Sequence, residues 1–261
     1  MNPGGLPDTL RAERQGSVAA LSLARPAKRN ALSDETVLGI ERFFETLEDD
    51  VRAVVLDAEG DHFCSGLDLS EMRERNTYSG IAHSRMWHRV FDRIEHGRVP
   101  VIAALKGAVI GGGLELAAAA HIRVAEESTF YALPEGTRGI FVGGGGSVRV
   151  PRLIGVARMT DMMLTGRRYG AADGAAVGFS QYVVPTGAGR KTALEVAAQI
   201  AVVAPQTVFA VLNVLPRIAT SSENEAYLME SLMAAIAQGT DDAKERMRAF
   251  LDGRAAKVPG R

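Results

Sequence analysis

A strand that feeds three consecutive glycines and then an alanine-rich helix constrains this chain more than any other segment. Residues 100–105 (PVIAAL) read as a fully buried strand. Gly111-Gly112-Gly113 follow, and residues 114–120 (LELAAAA) form a helix whose one charge is Glu115. Glycine permits positive φ and lets other atoms approach the backbone closely. A joint of this kind belongs inside a layered α/β fold, and residues 18–185 supply the other layers. Residues 18–23 (VAALSL), 52–57 (RAVVLD) and 122–124 read as short strands. Ser33 is a candidate N-cap, with Asp34 and Glu35 in the first turn of a helix whose broad apolar face carries Val37, Leu38, Ile40, Phe43, Phe44 and Leu47. Helical spacing recurs over 79–97 (Ile81, Met86, Val90, Phe91, Ile94), and shorter helices fit 158–164 and 171–177. Residues 1–10 read as a loose tail and 143–146 as a glycine-rich stretch.

From residue 193 the strand signal disappears. Three or four amphipathic helical segments follow, broken at Pro205, Thr220 and Gly239. The expected organisation is therefore an α/β core over 1–192 and a helical C-terminal region over 193–261.

Charge narrows the partners. Thirty Lys and Arg face 31 Asp and Glu, a balance that argues against nucleic acid as the main partner but leaves room for a small anionic ligand. The longest apolar candidate, residues 99–120, is interrupted by Lys106, Glu115 and glycines, so no membrane span is expected. Cys64 is the single cysteine and the N-terminus lacks a charged-then-apolar leader pattern; both fit a reducing, cytoplasmic setting. None of His62, His83, His88, His96 and His121 has metal-ligand spacing, and no metal is expected. Met159, Met162 and Met163 read as core or interface filler rather than a binding stripe.

Two segments could present backbone donors: Phe63-Cys64-Ser65-Gly66-Leu67-Asp68-Leu69, and Lys106 through the glycine triplet to Leu116. One N–H from each, converging on a single oxygen, would make an oxyanion hole. The same glycines could serve only tight helix–sheet packing, and spacing alone leaves both readings open. Neither segment matches a P-loop, a dinucleotide fingerprint or a nucleophile elbow. Glu115 sits among apolar neighbours, where burial raises a carboxyl's proton affinity. Glu135 lies in the turn Leu133-Pro134-Glu135-Gly136. If the two faced each other across a pocket, their titrations would couple, and one could activate water while the other protonates carbon. A solvated or salt-bridged glutamate is the plainer alternative, stronger for Glu135 than for Glu115.

Taken in order, Asn30-Ala31-Leu32, the Phe63 to Leu69 segment, Gly107 to Leu116, Pro134-Glu135, Gly143-Gly144-Gly145-Gly146-Ser147 and Pro151-Arg152-Leu153-Ile154-Gly155 resemble the enoyl-CoA hydratase/isomerase (crotonase) superfamily. The resemblance implies a β-β-α spiral core and a C-terminal helical region that mediates trimer formation, as a homotrimer or a dimer of trimers. It implies an acyl-CoA thioester as substrate, with coenzyme A part of that substrate and no separate cofactor. The thioester carbonyl would sit on the N–H groups of Leu67 and Gly112. Leu67, Asp68, Leu69 and Ser70 would border the coenzyme, and Lys28 would approach its phosphates. Glu115 and Glu135 map to the pair that acts on water in the hydratases, which favours hydration of a 2-enoyl-CoA. An isomerase, hydrolase or decarboxylase on the same scaffold, and a non-catalytic acyl-CoA binder, are the alternatives. Three departures stand out: His121 where aspartate is common, Phe141-Val142 for the usual Ile-Pro, and Ser70 where lysine is common. The first two are expected to reshape the acyl pocket.

Overall fold

A computed structural model describes residues 5–71 and 76–254. The chain divides into two compact units, residues 1–201 and 202–261.

The first unit is built on a six-stranded sheet. In chain order its strands are β1 (Leu10–Gln15), β2 (Val18–Leu23), β3 (Ala53–Ala58), β4 (Val101–Leu105), β6 (Ile122–Glu126) and β9 (Tyr182–Val184), and they lie side by side in that order. β1 pairs antiparallel to β2, and every later neighbour is parallel. A smaller sheet holds β5 (Ala108–Ile110), β7 (Phe130–Ala132) and β8 (Tyr169–Gly170). Isolated parallel bridges, Leu32 with Leu67 and Cys64 with Val109, extend that second layer back along the chain. The helices of this unit are α1 (Asp34–Glu45), α2 (Thr77–Glu95), α3 (Gly112–Ala119), α4 (Gly146–Ile154), α5 (Val156–Thr165), α6 (Ala171–Val177) and α7 (Gly189–Ala201).

The result is a winding with one repeated step. A strand of the large sheet leads to a segment of the small layer and then to a helix. β2 passes Leu32 into α1, β3 passes residues 64–67 into α2, β4 passes β5 into α3, and β6 passes β7 on the way to α4. This is the expected β-β-α spiral. Each turn stacks its small-layer segment beside the next, which brings residues 64–67 against the start of α3.

Both faces of the large sheet are covered, so its central strands are apolar without alternation. Val54, Leu56, Val101, Ala103 and Leu105 point into the main core with Phe63, Phe91, Ile94, Leu114 and Leu116. The intervening Ala53, Val55, Ile102 and Ala104 point the other way, onto Ala193, Val196 and Ala197 of α7. Residues 193–201, expected in the C-terminal region, thus belong to the core's outer layer. Met159, Met162 and Met163 are buried in the main core.

The Ser33 cap forms as expected, its hydroxyl accepting from the Thr36 N–H at 3.1 Å. Residues 5–10 are not a loose tail: Leu10 is buried in β1, and Gly39 on α1 leaves room for Pro7 and Leu10, which a Cβ there would meet at 2.6–2.7 Å. The three-residue strands β5, β7 and β9 are too short to show a sequence period. α4 starts in the glycine stretch and contains Pro151, so its helical signal is masked at both points.

The second unit contains α8 (Pro205–Phe209), a π-helical turn (Ala210–Val214), α9 (Leu215–Ile218), α10 (Glu223–Gly239) and α11 (Asp241–Leu251). Its breaks fall at or near the expected residues. A capping box at Ser222 and Glu225 starts α10. Tyr227, Leu228, Leu232 and Ile236 of α10 are exposed at helical spacing. Among the described residues, no single helix is long and apolar enough to cross a membrane.

Candidate active site

The first unit holds a cleft of about 630 Å³ whose wall includes the eight residues that the resemblance assigns to catalysis and coenzyme binding: Lys28, Leu67, Asp68, Leu69, Ser70, Gly112, Glu115 and Glu135. Its floor is the place where the small-layer segments meet α3.

Backbone pairing explains why two N–H groups are left there. Leu32 donates to the Gly66 carbonyl at 2.8 Å and Asp68 donates to the Leu32 carbonyl at 2.9 Å. Alternation along an extended segment turns the Leu67 N–H to the opposite side. On that side the ladder has ended: Ile110 donates to the Cys64 carbonyl at 3.0 Å, and the chain then turns through Gly111 (φ +53°) into α3. Gly112, first residue of α3, has no carbonyl one turn back to receive its own N–H. Among the described residues neither the Leu67 N–H nor the Gly112 N–H has a hydrogen-bond partner. Backbone N–H groups inside a fold are nearly always paired, so two unpartnered ones side by side on the cleft wall leave room for an external acceptor. They are close: a Cβ built on Gly112 would lie 3.5 Å from the Leu67 nitrogen.

Each glycine of the triplet clears different space. A Cβ on Gly113 would lie 2.5 Å from the Cys64 carbonyl oxygen, one on Gly112 2.9 Å from the Trp87 ring, and one on Gly111 would collide with a Glu135 carboxyl oxygen. The packing role is met at each glycine of the triplet, and it leaves the two amides open beside it.

Glu115 is almost fully buried on α3. Its Oε1 accepts the Gly144 N–H at 2.8 Å and the Gly146 N–H at 2.7 Å. Burial raises its pKa, while those two amides and the charge of Arg149 oppose the rise. The glycine stretch is what allows the loop to wrap this carboxyl, since a Cβ on Gly146 would lie 2.8 Å from Glu115. Glu135 is half-buried, and its Oε2 is shielded from solvent without a hydrogen-bond partner. Burial first, then the nearby Glu115 charge, push its pKa up to about 7. Neither glutamate is a surface residue or forms a salt bridge with a described residue.

The rim is more varied. Asp68 is committed to the protein: it pairs with Arg25 at 2.7 Å and accepts from the Ser70 N–H and hydroxyl at 3.0 and 2.7 Å. The Ser70 hydrogen bonds, helped by Arg25, hold its pKa down at about 2. Leu69 and Ser70 are exposed, as are Lys28 and Arg29 on the turn opposite. That turn is fixed by buried Asn30, whose Oδ1 accepts from the Arg25 N–H and whose Nδ2 donates to the Glu59 and His62 carbonyls at 2.9 and 2.8 Å.

Several site residues escaped sequence reading. Trp87 of α2 lies over Gly112 and Gly144. Ser84, one turn earlier, donates to the Gly143 carbonyl at 2.6 Å. Arg149 lies beneath the loop and reaches the Gly144 carbonyl at 3.2 Å. The apolar face of α2 signalled burial but not which side chains meet the cleft. α2 lines the cleft through Gly80, His83, Ser84 and Trp87, and residues 72–75 just before it lie outside the described residues. Phe141 and Val142 also line the cleft. His121 does not: its Nδ1 accepts from the Val101 N–H at 2.9 Å and its Nε2 meets the Glu95 carbonyl at 3.1 Å, which makes it a brace at the start of β4 rather than an acyl-pocket residue.

Comparison with known proteins identifies the family of the chain. The family model described as enoyl-CoA hydratase/isomerase matches residues 13–260. The chain is 33% identical over 260 residues to enoyl-CoA hydratase EchA19 of Mycobacterium tuberculosis, covering 98% of this chain and 97% of that protein. It is likewise 33% identical to the short-chain-enoyl-CoA hydratase of Clostridium acetobutylicum, covering 95% of each. Among solved structures, one from Rhodopseudomonas palustris CGA009, whose own enoyl-CoA hydratase assignment is provisional, superposes with a TM-score of 0.93 at 60% identity, covering 96% of this chain and 97% of that one. The chain belongs to the enoyl-CoA hydratase/isomerase family.

Proposed function

We propose that this protein is an enoyl-CoA hydratase, adding water across the C2=C3 bond of a 2-enoyl-CoA thioester. The observation that carries the reading is the pair of unpartnered N–H groups, Leu67 and Gly112, in one cleft with two carboxyls whose pKa values are raised by burial, Glu115 and Glu135. Attack of water at C3 drives negative charge onto the thioester oxygen. Two fixed N–H donors stabilise that enolate-like state more than the ground state. The amide bonds to Glu115 Oε1 favour its ionised form, which suits it to take the proton from water. Glu135, with its pKa near neutrality, suits delivery of a proton to C2. In each turnover a proton enters Glu115 and one leaves Glu135, and exchange with solvent restores the pair. The two titrate as a coupled unit.

Exposed Lys28, beside Arg29, offers positive charge to the coenzyme's phosphates, with Leu67, Leu69 and Ser70 opposite and Asp68 holding their turn. No cofactor is required beyond the coenzyme A carried by the substrate. The exposed apolar stripe Tyr227, Leu228, Leu232 and Ile236 supports a role for α10 in trimer or hexamer formation. Buried Cys64, its thiol pushed up to about 12 by burial, is compatible with a reducing cytoplasm. The reading is tested by incubating 2-enoyl-CoA and 3-enoyl-CoA thioesters of several acyl lengths with the enzyme in ¹⁸O-water. Label at C3 of a 3-hydroxyacyl-CoA is expected. Double-bond migration without label would make the protein an isomerase, and tight binding without turnover would make it a binder.

A further inference from the structure

Behind the glycine loop that wraps Glu115 lies a charged pair that the reaction itself does not use. Arg149 of α4 is 8% exposed. Its Nε donates to Glu95 Oε2 at 2.5 Å, and its Nη1 donates to the Gly144 carbonyl at 3.2 Å. Gly145, at φ +98°, leaves the space this guanidinium fills. The peptide groups on either side of that contact carry the two N–H bonds to Glu115, from Gly144 and Gly146. Glu95 closes the C-terminal end of α2 and is shared with Arg152 at 3.6 Å. A single chain of contacts therefore runs Glu95, Arg149, Gly144, Glu115.

We infer that Arg149, set by Glu95, is a positioning residue that holds the Gly144–Gly146 amides on Glu115 and places a buried positive charge behind that loop. The inference rests on the hydratase reading for its kinetic readout only. The loop amides point at one carboxyl oxygen because the guanidinium fixes the carbonyl between them. A buried cation on that loop also favours the carboxylate over the acid. The other charged or titratable groups around Glu115 are Glu135 from the 134–138 turn, with Arg138 beside it, and His88 and Glu95 from α2, with Arg85 near His88 and Arg152 on α4. Of these, Glu135 is itself raised by the Glu115 charge, and Glu95 offsets the charge of Arg149. Removing the cation and removing its counter-ion should therefore move Glu115 in opposite directions.

The experiment measures kcat/KM against pH for Arg149→Gln, Arg149→Lys and Glu95→Gln, together with an infrared titration of the Glu115 carboxyl band by difference against Glu115→Gln. Arg149→Gln should move the acid limb and the band titration up by about one pH unit and lower kcat roughly tenfold, with KM little changed. Arg149→Lys should restore the limb, and Glu95→Gln should move it down. An unshifted limb and band in Arg149→Gln, or shifts of the same sign in Arg149→Gln and Glu95→Gln, would overturn the inference. Should Arg149→Gln not fold, the downward shift in Glu95→Gln decides alone. The infrared titration needs no turnover, so it judges Arg149 even if hydration fails.

Discussion

Gly112→Ala is the sharpest single perturbation of the amide pair. Backbone donors cannot be deleted by side-chain mutation, but the space in front of them can be filled. The new methyl would lie 2.9 Å from Cζ3 and 3.3 Å from Cη2 of Trp87, and 3.5 Å from the Leu67 nitrogen. An oxygen accepting from both amides must sit about 2.7–3.1 Å from each nitrogen, so the methyl competes with it for the same volume. Loss of one such donor costs about 3 kcal/mol, a fall in kcat on the order of 10²–10³. Stability should move less: overpacking against Trp87 costs about 1–3 kcal/mol, offset by up to about 1 kcal/mol from replacing glycine in a helix. The assay follows loss of the enoyl-thioester absorbance, with urea unfolding in parallel to separate the two effects. A folded Gly112→Ala enzyme within about threefold of wild type, under roughly 0.7 kcal/mol, would refute the oxyanion-hole argument.

Other expectations follow from the same site. Glu115→Gln and Glu135→Gln should each lower kcat by ~10²–10⁴, and near wild-type turnover in both would remove the two-carboxylate mechanism. Glu135 is a raised carboxyl, so the folded state holds its proton more tightly than the unfolded chain does. Its contribution to stability is complete below the ordinary carboxyl pKa of 4.5 and is lost as pH rises through about 7; kcat/KM should fall through the same upper range, and Glu135→Gln should flatten the stability slope, as read by unfolding at a series of pH values. Asn30→Ala removes three part-buried hydrogen bonds of a buried residue with φ +55° and should lower the unfolding free energy by roughly 2–4 kcal/mol, measured in urea.

The sequence made the main layers legible because period and composition carry them. Residues 18–23, 53–58 and 101–105 are apolar on both faces, and Ser33 caps as its chemistry dictates. The short strands β5 and β7 were hidden because three residues define no period, and they matter most to the site, since β5 carries the chain into α3 and β7 carries it to the Glu135 turn. Burial of Glu115 could be read from its alanine and leucine neighbours. The half-buried state of Glu135 could not, because a turn sequence says nothing of what covers it. Arg149 carries no signal of its own in the sequence; only the fold shows Glu95, more than fifty residues earlier, at its Nε. His121 misled for the same reason: its position beside the alanine-rich helix suggested the acyl pocket, whereas its ring bridges backbone groups at Val101 and Glu95.

The most direct measurement is the carbonyl stretch of a thioester bound in the cleft, recorded as an infrared difference between ¹³C- and ¹²C-labelled 2-enoyl-CoA on the inactive Glu115→Gln enzyme. Hydrogen bonds from Leu67 and Gly112 should polarise that carbonyl and shift its band below the value in water, and adding Gly112→Ala should erase the shift. A bound thioester whose carbonyl absorbs where it does in free solution would contradict the account.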